Sequence, residues 1–148
     1  MTLELPTPAP LWRRLIAAIY DTLLLSGIWL AAIFLAWLIA HAFGEGVLAP
    51  GFVRAYLFLL SFLFFGWFWT HGGQTLGMRA WRLEVRRSDG SALNWPITML
   101  RFAVAILSWS AGGLGMIWCL LDANGRSWHD IAAGTEVIVL PRTVAANG

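Results

Sequence analysis

The residue with the clearest chemical potential is Asp21, a carboxylate inside an otherwise uncharged apolar run at residues 15–40. An ionisable side chain in a helix of that length is costly in hydrocarbon, so it normally faces a protein partner or a polar cavity. A carboxylate there can alternate between binding a proton and binding a cation, which is the minimum chemistry of an ion exchanger. Asp21 is therefore the first candidate for a functional site.

Two arginines are candidates to act with this carboxylate. Arg14 lies seven residues before Asp21, hence about two helical turns away on the same face. Because helical side chains lean towards the N-terminus, we expect Arg14 to extend to the membrane interface and away from Asp21. Arg101 enters a later apolar segment from the same side, and we expect it to form a buried ion pair with Asp21.

A second polar cluster is predicted near the end of the chain, where Asp122 and Asp130 lie close to Arg126 and His129. These side chains can meet if the tail returns to the side from which the preceding segment started. The histidines and aspartates lack the tight spacing of zinc ligands on one element, so we expect no metal site and no cofactor. We also expect no enzymatic activity, since no nucleophile has an evident base beside it.

The composition indicates what positions these residues. Of the 148 residues, 59% are hydrophobic and only 12% are charged, and the mean hydropathy is positive. About 20 helical residues cross a ~30 Å hydrocarbon core. Three segments are long enough, at residues 15–40, 52–70 and 97–121, with a polar turn at residues 41–51. The sequence therefore predicts an all-α integral membrane fold of three hydrophobic segments.

The third segment allows two arrangements because Gly112, Gly113 and Gly115 interrupt it. In the first, which we favour, it crosses once and leaves the tail on the other side. In the second, the glycines break it into a re-entrant hairpin that returns the tail, and neighbouring protein shields the hairpin from lipid. The strand-like residues 135–140 could then pair with residues 81–86.

The loop at residues 71–94 is the most basic part of the chain, which makes it cytoplasmic by the positive-inside rule. The N-terminus, two spans earlier, is then cytoplasmic too. Hydrophobic and charged residues alternate at residues 81–86, a pattern typical of a half-exposed strand. Arg82, Arg86 and Arg87 of this loop are candidates for contact with anionic lipid headgroups.

Three ordered elements of the chain resemble the RDD family of bacterial integral membrane proteins. Arg14 and Asp21 match the arginine and the first aspartate of that family. Residues 73–77 (Gly-Gln-Thr-Leu-Gly) and residues 128–135 (Trp-His-Asp-Ile-Ala-Ala-Gly-Thr) are similar to its two further motifs. Either Asp122 or Asp130 matches the second family aspartate. We interpret the chain as an extended lead-in at residues 1–10, an RDD-like membrane domain at 11–140 and a tail at 141–148.

The resemblance implies a multi-pass protein of the bacterial plasma (inner) membrane with a transport role, and proton/cation exchange is suggested for some members. The alternative is a non-transporting adaptor or assembly subunit that contacts a cytoplasmic or membrane partner. Membrane lipids, a second copy of the chain and a membrane partner protein are the expected partners, and nucleic acid is not. A buried pair of charged groups can also serve only to hold helices together.

Overall fold

Two long helices form most of the structure, a computed structural model that describes residues 6–44 and 49–141. Helix α1 (Leu11–Ala42) and helix α2 (Pro50–Thr70) are both long and apolar enough to cross a membrane. They confirm the first two predicted hydrophobic segments. Residues 45–48 of the predicted turn, residues 1–5 of the lead-in and residues 142–148 of the tail lie outside the described residues.

A short helix and a strand follow α2. Helix α3 (Leu76–Ala80) begins where the side chain of Thr75 accepts a hydrogen bond from the backbone N–H of Met78, at 3.2 Å. Strand β2 (Leu83–Arg87) contains the predicted alternation, because Leu83 and Val85 are buried while Glu84 and Arg86 are partly exposed. The predicted half-exposed strand is therefore present, displaced by one or two residues along the chain.

The third hydrophobic segment is broken. Helix α4 (Trp95–Ser110) is followed by helix α5 (Leu114–Ile117) and a 3₁₀ turn (Trp118–Leu120), and the two parts are bent by 108°. Gly112 and Gly113 lie at the bend with φ angles of 71° and 81°. L-residues with a Cβ rarely adopt this left-handed conformation, which explains why glycines occupy the break.

The chain ends in a helix and a strand that complete a small sheet. Helix α6 (Trp128–Ala133) is followed by strand β3 (Thr135–Val139), which lies between β2 and the N-terminal strand β1 (Thr7–Pro8). Both pairings are antiparallel. The fold is thus mostly helical, and this three-stranded sheet corrects the expected all-α class.

The strand pairing in the sheet bears on the two arrangements of the third segment. Strand β2 precedes α4 and strand β3 follows α6, yet the two strands pair along their whole length, from Leu83 with Val139 to Arg87 with Thr135. A single crossing would place these strands on opposite sides of a membrane. The pairing is the one anticipated for the arrangement in which the segment returns, rather than for the expected single crossing.

The buried core lies where the sheet meets the ends of the helices. It includes Leu83, Val85 and Val137 of the sheet with Ala17 of α1 and Phe102 of α4. The second half of α1 lies outside this core, and its apolar side chains between Gly27 and Ile39 are mostly exposed. Exposed apolar surface of this extent is what a lipid-facing helix presents.

Candidate functional site

The centre of the polar site is Asp130, whose side chain is fully buried. Asp130 is the third residue of α6, and its carboxylate turns back to the start of that helix. Its Oδ2 atom accepts hydrogen bonds from the backbone N–H of Ser127 at 3.0 Å and from the Ser127 hydroxyl at 2.5 Å. This capping box orients the carboxylate through contacts that do not involve the arginines.

Arg14 donates to this carboxylate from α1. Its Nη1 atom lies 2.7 Å from Oδ2 of Asp130, its Nε donates to the carbonyl of Ala9 at 2.9 Å, and its Nη2 donates to the carbonyl of Gly125 at 2.7 Å. Arg14 is only 5% exposed. The expectation that Arg14 extends to the interface is therefore wrong, because these acceptors draw its guanidinium into the protein.

Arg101 donates to the same carboxylate from α4. Its Nη1 atom donates to Oδ1 of Asp130 and, at 2.5 Å, to the hydroxyl of Thr135. Its guanidinium also lies over the ring of Trp69, with 5.0 Å between the guanidinium carbon and the ring centroid. Arg14, Asp130 and Arg101 together form what we call the Arg–Asp–Arg cluster, which joins α1, α4 and α6.

The electrostatics of this cluster keep Asp130 ionised. Burial by itself would raise the pKa of Asp130, but the guanidinium groups of Arg101 and Arg14 outweigh it and hold the pKa well below its usual range. Burial and the positive charge of Arg101 lower the pKa of the neighbouring His129 to about 3. At neutral pH the carboxylate is therefore charged and the imidazole is neutral.

Asp21 occupies a different part of the site. Its Oδ2 atom accepts from the hydroxyl of Thr75 at 2.5 Å and its Oδ1 atom accepts from the backbone N–H of Gly77 at 2.9 Å. Within the described part of the chain no cationic side chain forms a salt bridge with it. The predicted ion pair between Asp21 and Arg101 is thus wrong, because Arg101 is taken by Asp130.

Close packing between α1 and α3 makes this contact with Asp21 possible. A Cβ atom placed on Gly77 would collide with the carbonyl oxygen of Ala17 and would lie 2.9 Å from Oδ1 of Asp21. Only a glycine allows the α3 backbone to approach close enough for its N–H to reach the carboxylate.

Asp122 does not join the cluster. It pairs with Arg126 at 3.1 Å and accepts from the backbone N–H groups of Asn124 and Arg126 in its own turn. The hydrogen bonds from Arg126 lower the pKa of Asp122. The predicted second cluster of Asp122 and Asp130 is therefore divided, and of the two aspartates it is Asp130 that joins the two arginines.

A cavity of about 470 Å³ connects the polar groups. Arg14, Asp21 and Arg101 all line it, together with apolar residues of α1, α2 and α4. Asp21 and the two arginines predicted to act with it thus share one cavity, although Asp21 and Arg101 do not pair across it.

The three arginines predicted to contact lipid form ion pairs or hydrogen bonds within the protein. Arg86 pairs with Glu136 of β3 at 2.7 Å, Arg87 pairs with Asp89 at 3.1 Å, and Arg82 donates to the carbonyl of Pro141.

Residues 6–44 and 49–141 contain no group of three or more His, Cys, Asp or Glu side chains able to hold a metal ion.

Sequence reasoning missed the hydroxyl groups that complete the site, those of Thr75, Ser127 and Thr135. All three had a usable signal. The spacing of Ser127 and Asp130 is that of a capping box, and Thr75 and Thr135 lie in the motifs at residues 73–77 and 128–135. The stacking of Arg101 on Trp69 had no such signal, because it depends on how α2 and α4 pack.

Comparisons with known proteins identify the family of the chain. No curated protein and no solved structure shows significant similarity to the chain. The sequence profile of the RDD family matches residues 8–134, which include all three members of the Arg–Asp–Arg cluster and Asp21. The match covers the chain from the end of β1 to the residue after α6, so the protein belongs to the RDD family.

Proposed function

We propose that the protein is a multi-pass membrane protein that exchanges protons for small cations through the carboxylate of Asp21. The observation that carries the proposal is the setting of Asp21. This side chain is 4% exposed, lies on an apolar helix of membrane-spanning length, lines the cavity and has hydrogen-bond donors but no salt bridge to a cation among the described residues.

The chemistry follows from that setting. A carboxylate paired with arginine stays ionised and has no free oxygen for an exchangeable ligand, as is the case for Asp130. Among the described residues, the donors to Asp21 are a hydroxyl and an amide N–H, both of them neutral. In this proposal a proton or a cation balances the charge of Asp21. In this proposal the Arg–Asp–Arg cluster is the fixed frame and Asp21 is the site that exchanges its ligand.

The proposed membrane arrangement places the sheet on the cytoplasmic side of a bacterial plasma (inner) membrane, with the N-terminus on that side. Helices α1 and α2 cross, and α4 with α5 forms a re-entrant element. The basic loop before α4 supports this orientation. A complete ion path through a chain of this size needs a second copy or a membrane partner protein, so we propose that the active form is an oligomer.

Membrane lipids are the other proposed partners. In this proposal the exposed parts of Arg82, Arg86 and Arg87 contact anionic headgroups. Each guanidinium also has a partner within the protein, Pro141 for Arg82, Glu136 for Arg86 and Asp89 for Arg87. Replacing all three with alanine is expected to reduce the phosphatidylglycerol that co-purifies with the protein, and unchanged lipid content would contradict the contact.

Ion flux in proteoliposomes tests the exchange. The wild-type protein, the Asp21→Asn variant and the Asp122→Asn variant are reconstituted, and sodium, potassium or proton gradients are imposed after insertion and folding are verified. We expect flux coupled to the proton gradient in wild type and Asp122→Asn, and background flux in Asp21→Asn. The amide oxygen introduced by Asp21→Asn can still accept the bond from Gly77, so the fold is kept while the exchangeable charge is lost. Normal flux in Asp21→Asn would contradict the proposal.

A second candidate is a membrane adaptor without transport activity. The observation that favours it is that the hydrogen bonds of Asp130 and Arg14 go to groups within the protein. These bonds join α1 to α6, which is a structural role. Such an adaptor would bind a cytoplasmic or membrane partner in fixed stoichiometry and would conduct no ion by itself. Stoichiometric co-purification of a partner, with no flux from wild-type protein, would favour this candidate.

A further inference from the structure

Residues of α1 and α4 form much of the apolar lining of the cavity, and Phe65 and Trp69 of α2 add to it. This cavity, which we call the cleft, is lined on α1 by Leu25 and Trp29 and on α4 by Ile106 and Trp109. Its volume of about 470 Å³ lies within the range of ~300–1,000 Å³ found for small-molecule sites. The walls are apolar, so a ligand that fills the cleft must be largely hydrocarbon.

One end of this cleft is polar and incompletely paired. Arg101 is 3% exposed, and its Nε atom has no hydrogen-bond partner among the residues that the structure describes. Arg101 also lines the cavity. A buried guanidinium N–H without an acceptor is unfavourable, and a ligand acceptor at this end would relieve it.

The Arg–Asp–Arg cluster is positively charged, although the carboxylate of Asp21 lines the same cavity. The Arg–Asp–Arg cluster contains two guanidinium groups and one carboxylate, so it carries a net charge of +1. The oxygens of Asp21 accept from Thr75 and Gly77 of α3 and form no salt bridge with Arg101 in the described residues. A net positive group away from water is stabilised by an anion that binds beside it.

The cleft continues to the outer surface of α1. A second groove, lined by Leu15, Ile19 and Leu23, shares Ala18, Thr22 and Trp109 with the cavity. Of these residues, Thr22, Trp109, Ile19 and Leu23 are exposed. In the proposed membrane arrangement this outer groove faces hydrocarbon, so an acyl chain can pass from the bilayer into the cleft.

We propose that the cleft binds one single-chain anionic amphiphile, with its headgroup at Arg101 and its acyl chain between α1 and α4. Either a fatty-acid carboxylate or a lysophospholipid phosphate supplies this chemistry. The site goes beyond ion exchange at Asp21 and uses a different charged group, Arg101, although both residues line the same cavity.

Binding of radiolabelled oleate to the purified full-length protein in a non-ionic detergent tests the site. We expect one oleate per chain and at least ten-fold weaker binding of oleyl alcohol, which has the same chain without the charge. Displacement of oleate by lysophosphatidylglycerol but not by lysophosphatidylcholine would identify a phosphate headgroup as an accepted ligand. Displacement by neither would restrict the site to carboxylates. Equal binding of oleate and oleyl alcohol would overturn the proposal.

Filling the cleft locates the site. Ala105 lines the cavity on α4, whereas Ala103 on the same helix is exposed and does not line it. Ala105→Trp is expected to lose at least ten-fold in oleate affinity, and Ala103→Trp is expected to bind as wild type. Ala18→Trp blocks the cleft from α1 if the first variant fails to fold. Wild-type affinity in a folded Ala105→Trp or Ala18→Trp protein would overturn the proposed location.

One further variant separates this site from the exchange reaction. Asp21→Asn leaves Arg101 and the apolar walls in place, so oleate binding is expected to persist while coupled flux is lost. Lost oleate binding in a folded Asp21→Asn protein would overturn the independence of the two sites. Retained flux with retained binding would contradict ion exchange at Asp21 and leave the amphiphile site supported.

Discussion

Arg14 and Asp130 lie 116 positions apart in the chain, yet their side chains form a buried ion pair of 2.7 Å. The pair joins the first turn of α1 to the first turn of α6. Since β1 also pairs with β3, the beginning and the end of the domain are held together at two neighbouring places. Arg101 adds α4 to the same carboxylate, so one aspartate fixes three helices.

Removal of the charge of Asp130 is expected to destabilise the protein strongly. Asp130→Asn leaves two buried guanidinium groups with no carboxylate partner, and breaking a buried pair in this way costs about 3–5 kcal/mol. The thermal unfolding midpoint in detergent measures the effect. Asp122→Asn is the matched control, because the bonds of Asp122 stay within its own turn. Equal midpoints for the two variants would show that the cluster contributes little to stability.

The contact between Thr75 and Asp21 is expected to depend on the hydroxyl group. Thr75→Val keeps the shape of the side chain but removes the donor to Asp21 and the cap of α3. An unsatisfied buried acceptor costs about 1–3 kcal/mol, and we expect a loss of stability of that order. Thr75→Ser restores the hydroxyl and should recover most of it. A valine variant as stable as the serine variant would argue against the hydrogen bond.

The close approach of α3 to α1 predicts a difference between two glycines. Gly77→Ala forces a methyl group against the carbonyl of Ala17 and the carboxylate of Asp21, whereas a Cβ on Gly27 of α1 would meet no atom within 4 Å. We expect Gly77→Ala to lower the unfolding midpoint by an amount corresponding to about 1–3 kcal/mol. Gly27→Ala should be neutral or stabilising. Similar midpoints for both variants would contradict the close approach.

His129 is expected to make stability depend on pH. Its pKa is lowered to about 3 in the folded protein, while the unfolded chain has the ordinary value of 6.5. Between these values the unfolded chain binds more protons, so the free energy of unfolding falls as the pH decreases, by on the order of 1 kcal/mol per pH unit. Denaturation midpoints of wild type and His129→Gln are measured from about pH 7 to about pH 4. The midpoint of wild type should fall more steeply with decreasing pH than that of His129→Gln, because glutamine does not titrate. Parallel curves would show that His129 does not titrate in this way.

The sequence determined the elements that local chemistry controls. The two long apolar runs became α1 and α2 because their length and composition suffice for a spanning helix. The alternation at β2 and the glycine break after α4 were visible for the same reason, since each depends on a few neighbouring residues. The family motifs also pointed to Arg14, Asp21 and the segment around Asp130.

Only the tertiary structure decided which charges meet. Sequence reasoning paired Arg101 with Asp21 because both enter an apolar segment from the same side, but the return of the chain after α5 brings Asp130 of α6 to Arg101 instead. The capping box then aims Asp130 at both arginines, and Gly77 brings α3 to Asp21. Side-chain partners across 29 to 116 positions depend on how helices pack, and no local pattern records that packing.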